Sequence, residues 1–600
     1  MKIKLPSFQS LWHSFTSVIR RFPFQVLCAI IATVALCYVV DPDSKNYVER
    51  TIRFICMCNL ALTLLLALDL YAEVNQLGKS KQWGLRMLAL LICTALYFLL
   101  HPDRYKADVY RIALLAFAFH LLVAFAPFVG RDCINGFWQY NKTLFLRFLI
   151  SVLYAAVLYG GLAVALLAVD GLFNADITWK VYVRLFAVVG AGFTTVFFLA
   201  GVPVDFKALD EDHSYPKGLK IFTQYVLIPL MTIYLLILLV YEVKIALEWQ
   251  LPKGIVSLLI LGYSTFGILS LLLIHPIKNK EGNGWMRMFS KFFYVMMIPL
   301  VFLLLLAVWK RVEVYGITEL RYILTALAIW LTLLTAYFLF SRKQNIMVIP
   351  ISLALLALIA IYGPQSAFSI SRYSQTLRLK KILSSKDTKA IKEQREVIDY
   401  LVRNHGLKSL QGFTSRDLEV LEDTIENGAS ERYRYGVENE KLDSVYTILK
   451  IPKDKESYSD NVNFVLAGGA KVNVKGFDLV IPIEGYAPEI EMKIAGLPFK
   501  IQKAKEGAIL KLSTGVEPER EIDILKVARN ASRLMKENKL RKGDRPYELT
   551  EVQLSSNELQ FENFSVMMVF LSLDTKLDEN DDEVMARWLN YRGMLLIRFK

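Results

Sequence analysis

Ionisable side chains inside long apolar runs are where this sequence could do chemistry, because hydrocarbon penalises them and they mark ion paths, proton paths, ion pairs or helix ends. His120 lies near the middle of one run, between Phe119 and Leu121. An imidazole there fits either a proton relay or a neutral ring bonded to a neighbouring helix. Arg147 and Arg184 fall within a turn or two of run starts, where a long stem carries its charge out to the interface and anchors the helix. Asp69, Asp170 and Glu242 lie toward run ends, where hydration lowers their cost and ion-pairing or boundary roles fit. Thr318 and Glu319 open another run, and a hydroxyl cap followed by a carboxylate suits the positive end of a helix dipole. Arg321 is worse placed for that dipole and is expected to pair with an acid such as Asp69 or Asp170.

No catalytic motif accompanies these residues: HExxH, GxSxG and a GxGxxG that opens a helix after a strand are all absent. Gly78-Lys79-Ser80 has the tail of a phosphate loop, but Glu73 stands where the first glycine belongs and no strand precedes it. Asp574, Asp578, Asn580, Asp581, Asp582 and Glu583 lack the glycine of a calcium loop, so they read as a solvated turn, with a weak divalent-cation site as the alternative. The six cysteines, Cys28, Cys37, Cys56, Cys58, Cys93 and Cys133, all precede residue 134. Cys56 and Cys58 have the wrong spacing for a redox pair and read as small packing residues. An enzyme is not expected, and no catalytic, cofactor-binding or metal-ligating residue is assigned.

Eleven apolar runs must hold these side chains: Phe22 to Val40, Ile52 to Ala72, Trp83 to Leu100, Ile112 to Val129, Leu144 to Ala168, Val181 to Val202, Ile221 to Tyr241, Ile255 to Ile274, Phe292 to Trp309, Tyr322 to Phe340 and Ile346 to Tyr362. A bilayer core about 30 Å thick needs roughly 20 apolar residues per helix. Mean hydropathy of +0.37 agrees with such a series, and Trp83, Trp138, Trp179, Trp249, Trp285 and Trp309 fall at or near run ends, where amphipathic rings sit at the headgroup level. The fold class is therefore an α-helical polytopic membrane bundle of about 11 transmembrane helices with a C-terminal soluble α+β domain. Ahead of the bundle, Phe8, Leu11, Trp12, Phe15, Val18 and Ile19 recur at helical spacing and predict an interfacial helix. The expected divisions are residues 1–21 for that segment, 22–363 for the membrane bundle and 371–600 for the soluble domain.

The net charge of +14 excludes a nucleic-acid surface once it is located. Residues from 370 onward hold 38 Lys+Arg and 37 Asp+Glu, so nearly all the excess sits in or beside the apolar runs. Seventeen lysines and arginines flank one alternating set of loops against nine to eleven on the other, which predicts a cytoplasmic N-terminus. With an odd number of spans, the C-terminal domain then lies outside the cytoplasm. In that domain Ser371 to Asn427 reads as helical, with Ile391, Val397, Ile398, Leu401 and Val402 on one stripe and a second helix from near Ser415. Strands are expected at Val445–Ile451, Val462–Leu466, Phe477–Ile483, Ile490–Ile494, Phe499–Gln502, Ala508–Leu512 and a closing Met594–Phe599 segment, with a helix at Glu519–Lys539. The sheet is expected to be antiparallel, with one wet face.

Several motifs occur in order at loop and span-end positions. They are Asn135-Gly136-Phe137-Trp138-Gln139-Tyr140-Asn141 running into Leu146-Arg147-Phe148; Tyr215-Pro216-Lys217-Gly218-Leu219-Lys220; Leu251-Pro252-Lys253-Gly254; His275-Pro276-Ile277; and Tyr315-Gly316-Ile317-Thr318-Glu319 with Arg321-Tyr322. With these the first 365 residues resemble the DUF4153 family of bacterial polytopic membrane proteins, in the form found in Bacteroidetes-like bacteria. The resemblance implies a bacterial inner membrane location and carries no activity, cofactor or catalytic residue with it. Two function classes remain. One is an envelope anchoring or sensory component, in which the spans hold an external domain against an extracytoplasmic ligand or an envelope protein. The other is a transporter or channel-like protein with a regulatory soluble domain. The expected partner in either case is the lipid bilayer, with no nucleic acid.

Overall fold

All eleven apolar runs are helical in the computed structural model, which describes every residue except 1–7, 42–47, 249–254, 279, 281–282, 342, 385–386, 428–433, 453–460, 468–470, 486–488, 495, 505–507, 538–546 and 577–588. Trp249, the Leu251–Gly254 motif, Gly468–Gly469 and the acidic residues 578–583 lie outside the described residues. Contacts divide the chain into two units, Met1–Ile451 and Pro452–Lys600.

The first unit opens with α1 (Phe8–Arg21), whose Phe15–Arg21 part bends 109° away from α2 (Pro23–Val39). It continues through α3 (Val48–Val74), α4 (Lys79–Leu99), α5 (Lys106–Phe125), α6 (Ile134–Phe173), α7 (Trp179–Ala187), α8 (Thr194–Ala200), α9 (Phe206–Glu211), α10 (Lys217–Phe222), α11 (Ile228–Glu248), α12 (Ile255–Ile274), α13 (Gly284–Tyr315), α14 (Glu319–Phe340) and α15 (Val348–Ile361). Among the described residues nine helical segments are long and apolar enough to cross a membrane, or ten if the bent α1–α2 pair is one span. The expected count of eleven is thus not confirmed: α15, with 14 residues, reaches only about 21 Å at roughly 1.5 Å per residue.

Two spans carry a widened π turn. Residues Val188–Phe193 join α7 to α8, where Gly192 lies against Thr33, and Thr223–Leu227 join α10 to α11 just ahead of Pro229. Proline cannot donate to the carbonyl four residues back, and a π turn absorbs that missing bond. At the bundle centre, α3 buries Leu60, Leu65, Ala67 and Leu70 completely.

Polar contacts between helix ends sort into two sets. In one, Arg21 pairs with Glu73 at 2.9 Å and donates to the Val202 carbonyl at 2.7 Å, Arg131 donates to the Val74 carbonyl at 2.6 Å, and Lys278 donates to Gln344 at 3.0 Å. In the other, Arg184 pairs with Asp41, Arg53 donates to the Leu100 carbonyl at 3.4 Å, and Tyr322 donates to the Gln365 carbonyl at 2.7 Å. The first set gathers the connections α3–α4, α5–α6, α8–α9 and α12–α13 with α14–α15, and the second draws on α2–α3, α4–α5, α6–α7, α13–α14 and the segment after α15. Successive apolar segments therefore run antiparallel.

After Gly363 the chain enters α16 (Ala367–Ile382), α17 (Thr388–His405), α18 (Leu418–Asn427) and α19 (Arg434–Ile448). These helices bury Val397, Ile398, Leu401, Val402 and Leu442 among themselves, together with Leu410 of the turn between α17 and α18, and they belong to the first unit, so contacts divide the chain at residue 451, well beyond residue 371. The strand expected at Val445–Ile451 is instead the last turn of α19 and its exit, because Val445 packs into this helical core. Local β-propensity yielded to tertiary packing.

The second unit has one core lined by two sheets. Strands β1 (Asn461–Leu466), β2 (Leu479–Glu484), β7 (Tyr547–Leu549), β8 (Leu559–Gln560), β9 (Phe564–Lys576) and β10 (Asn590–Phe599) form the order β2-β10-β9-β1-β7, with β8 on β9. Strands β3 (Ile490–Ile494), β4 (Leu497–Ala504), β5 (Ile509–Ser513) and β6 (Arg520–Asp523) form the second sheet in sequence order. The expected all-antiparallel pattern fails at one place, where β1 and β7 pair in parallel. The predicted helix begins only at Ile524, as α20 (Ile524–Glu537), because residues 520–523 pair with β5.

One close approach in the bundle gives a stability test. A Cβ on Gly267 of α12 would come within 2.0 Å of the Phe293 ring, which is 1% exposed and has Tyr263 and Tyr294 each at 5.5 Å. Gly267→Ala is expected to cost roughly 1–3 kcal/mol, as overpacking does. Gly262, with open space around it, should accept alanine without loss in the same thermal melt of the detergent-purified chain.

Candidate functional site

The turn between α13 and α14 builds a buried polar cluster. Gly316 takes φ +69°, a conformation glycine tolerates best, and its N–H closes α13 by donating to the Val312 carbonyl at 2.9 Å. Gln375 of α16 donates to the carbonyls of Tyr315 at 2.9 Å and Ile317 at 3.0 Å, and Ser374 accepts from the Ile317 N–H at 2.9 Å. This places Glu319, 2% exposed, against α16 and α17. Its Oε1 lies 3.0 Å from His405 Nε2 and 3.1 Å from Ser371 Oγ. Its Oε2 accepts from the Tyr400 hydroxyl and, at 3.4 Å, from Asn404. Burial and the Glu319 charge push the Tyr400 phenol well above its ordinary range, so it stays a protonated donor. A buried carboxylate is tolerated when several donors surround it, and here four residues supply them.

Serine, histidine and glutamate meet here, but the order differs from a nucleophile relay: Ser371 donates to Glu319, and Ser371 is fully buried. The arrangement is suited to tying α14 to α16 and α17. Thr318, expected to cap α14, makes no capping bond, and the cluster around Glu319 takes its place.

A second tie lies beside the first. Lys441, 5% exposed, reaches Glu422 at 2.7 Å and Glu426 at 2.6 Å, and Arg104 pairs with Glu426 at 2.7 Å. Gly406, at φ +77°, leaves room for the Tyr105 ring, which would stand 2.6 Å from a Cβ. The α4–α5 connection is thereby pressed onto α17 and α18.

At the opposite ends of the helices, two of the motifs meet beside the end of α12. Asn135 donates to the Asp210 and Asp212 carbonyls at 2.7 and 2.9 Å, and Gln139 donates to the Asp212 carbonyl at 2.6 Å. Trp138 stacks on Tyr215 at 5.4 Å and donates to the Leu272 carbonyl at 2.7 Å, while Tyr215 donates to the Leu273 carbonyl at 3.1 Å. Asn135, Trp138, Gln139 and Tyr215 are thus bonded to backbone carbonyls far away in the sequence.

The remaining candidate residues stand apart. Arg321 pairs with neither Asp69 nor Asp170; it donates to the carbonyls of Tyr315 at 3.2 Å and Gly316 at 2.8 Å, because its stem folds back over the end of α13. Asp69 instead holds Arg86 and Gln25, each at 2.8 Å, and is buried. Asp170 accepts from the Ile177 N–H at 2.8 Å and closes the turn after α6. His120 is exposed and bonds the Ala116 carbonyl of its own helix at 2.7 Å, not a neighbouring one. The Arg147 stem lies on Gly201, 2.3 Å from where a Cβ would stand. Glu242 is half-buried. The sequence drew attention to Glu319 but not to its partners, since Asn404-His405-Gly406 reads only as a helix stop.

The model of DUF4153, a domain of unknown function, matches residues 23–394. The chain belongs to the DUF4153 family. Within this DUF4153 chain the matched stretch holds Glu319, Ser371 and Gln375, whereas Tyr400, Asn404 and His405 lie beyond it. An uncharacterised protein of Pasteurella multocida (strain Pm70) is 24% identical over 426 residues, covering 70% of this chain and 68% of its own length. No solved structure matches this chain.

Removing the buried carboxylate strands its donors. Glu319→Ala is expected to destabilise the chain by about 3–5 kcal/mol, the range for breaking a buried pair, with Glu319→Gln milder because an amide oxygen still accepts. Melting of the purified full chain checks this, and equal midpoints for wild type and Glu319→Ala would refute the role assigned to Glu319.

Proposed function

We propose that this DUF4153 protein is a bacterial inner-membrane component that anchors an extracytoplasmic module and transmits its state, as an envelope anchoring or sensory protein. The observation that carries the reading is the buried Glu319, through which the start of one span is bonded to Ser371 of α16 and to Tyr400, Asn404 and His405 of α17. A ligand or envelope protein that shifts α16–α19 would thus act directly on α14. Residues 22–363 serve as the membrane part, and residues 371–600 form the exposed part, including the helical block and the two-sheet unit.

The N-terminus is assigned to the cytoplasm and the C-terminus to the outside. The excess of lysine and arginine on one set of loops supports this orientation. So does the sorting of contacts: the block after α15 touches the α4–α5 and α13–α14 connections, which eleven crossings would put on the C-terminal side. A phosphatase fused after Lys600 should be active outside the cytoplasm. A fluorescent protein at the same position that matures in the cytosol would reverse the assignment.

A transporter or channel-like protein is the second reading, favoured by the Asp69–Arg86–Gln25 group within the bundle and by the two π-turned spans. A deletion strain tested for envelope-stress resistance and solute uptake separates the two. On the anchoring reading, Glu319→Gln fails to restore stress resistance, while Asp69→Asn leaves uptake as in wild type. Loss of uptake with Asp69→Asn, at normal protein levels, would favour transport instead.

A further inference from the structure

Arginines from α14 and α16 converge on the Tyr315 ring, and Arg311 of α13 stands one turn before that ring, with few carboxylates to balance the three. Arg321 of α14 and Arg378 of α16 hold their guanidinium carbons 5.4 and 5.8 Å from the ring centroid. Both donate to the Tyr315 carbonyl, at 3.2 and 3.3 Å. Arg311 stands one helical turn before Tyr315 on α13, and its charge and that of Arg378 repel the charge of Arg321. Against these three, Glu393 reaches Arg378 at 3.4 Å, and Glu313 lies 3.9 Å from Lys310. Among the described residues, neither Arg311 nor Arg321 has a carboxylate at ion-pair distance.

The backbone explains only part of this arrangement. Carbonyls at the end of α13 satisfy Nη1 of Arg321 and Nη1 of Arg378, whereas each guanidinium carries five N–H donors. The level in the bilayer is marked by rings: Trp309 is 70% exposed, Tyr315 50% and Tyr373 68%, and such amphipathic side chains favour the headgroup zone. A phosphodiester at that depth would supply the negative charge the cluster lacks and accept the fork of donors that guanidinium groups present.

We propose that Arg311, Arg321 and Arg378 bind the phosphate of an anionic phospholipid, with the Tyr315 ring as the floor of the site. Such a site requires only that α13 and α14 cross a bilayer, whether the protein anchors or transports. A bound lipid would brace the same turn that positions Glu319.

The test uses the full chain in nonionic detergent, with native mass spectrometry reporting retained lipid during titration with dioctanoyl phosphatidylglycerol, dioctanoyl phosphatidylcholine or inorganic phosphate. Saturable binding of the phosphatidylglycerol, weaker binding of the phosphatidylcholine and no competition by inorganic phosphate are expected. Arg311→Gln should weaken phosphatidylglycerol binding by about fivefold, the effect of one basic residue near an anionic surface. This variant keeps the test valid if Arg321→Gln or Arg378→Gln fails to fold, since Arg311 makes no hydrogen bond or ion pair among the described residues. Equal retention of the two lipids, or unchanged binding in Arg311→Gln, would mean that the arginines only cap the end of α13 and would overturn the proposal. Competition by inorganic phosphate would point to a soluble anion and overturn it as well.

Discussion

A peptide group in hydrocarbon must find its hydrogen-bond partner within the protein, and that constraint governs the first 363 residues of this chain. It makes every apolar run a helix and concentrates irregular backbone at the helix ends. There, carbonyls that a helix cannot satisfy are met by side chains: Arg21 and Arg131 at one set of ends, Gln375 and Arg321 at the other. The same constraint shapes the two exceptions inside spans, where π turns accommodate Gly190 and Gly192 in one helix and Pro229 in another.

The geometry shows that the specificity of the fold lies at the helix ends. The motifs of residues 135–141, 215–220 and 275–277 fall at one set of ends, and the motif of residues 315–322 falls at the other. Their polar side chains mostly bond backbone atoms from distant parts of the sequence, as Trp138 does with Leu272. The α13–α14 turn also brings the Glu319 carboxylate together with His405 and Tyr400, and it takes Arg321 and Arg378 on the Tyr315 carbonyl. It is the point at which α13 and α14 are bonded to α16 and α17.

Much of the architecture was legible in the sequence because helix periodicity and length are local properties. The stripe Val397, Ile398, Leu401 and Val402 became the core of α17, and the strands β1 to β5 lie where their alternation predicted them. The 13-residue strand β9 escaped, since Val566, Met568, Val569 and Phe570 are all buried and such a continuous apolar stretch carries no alternation. The helix α19 escaped for the converse reason: its last turn is rich in strand-favouring residues that pack as a helix.

By itself the sequence determined the number and order of apolar runs, the location of excess positive charge and the change to a mixed α and β composition after Pro364. These follow from hydrophobicity and propensity, which each segment expresses alone. Only the tertiary structure decided that helices after residue 366 join the first unit, that Glu319 is held by Ser371, Tyr400, Asn404 and His405, and that Arg321 turns to the Tyr315 carbonyl instead of Asp69. Those outcomes depend on which donors arrive near a buried acceptor from 50 to 90 residues away, and a charge or carbonyl takes whichever partner packing brings within reach.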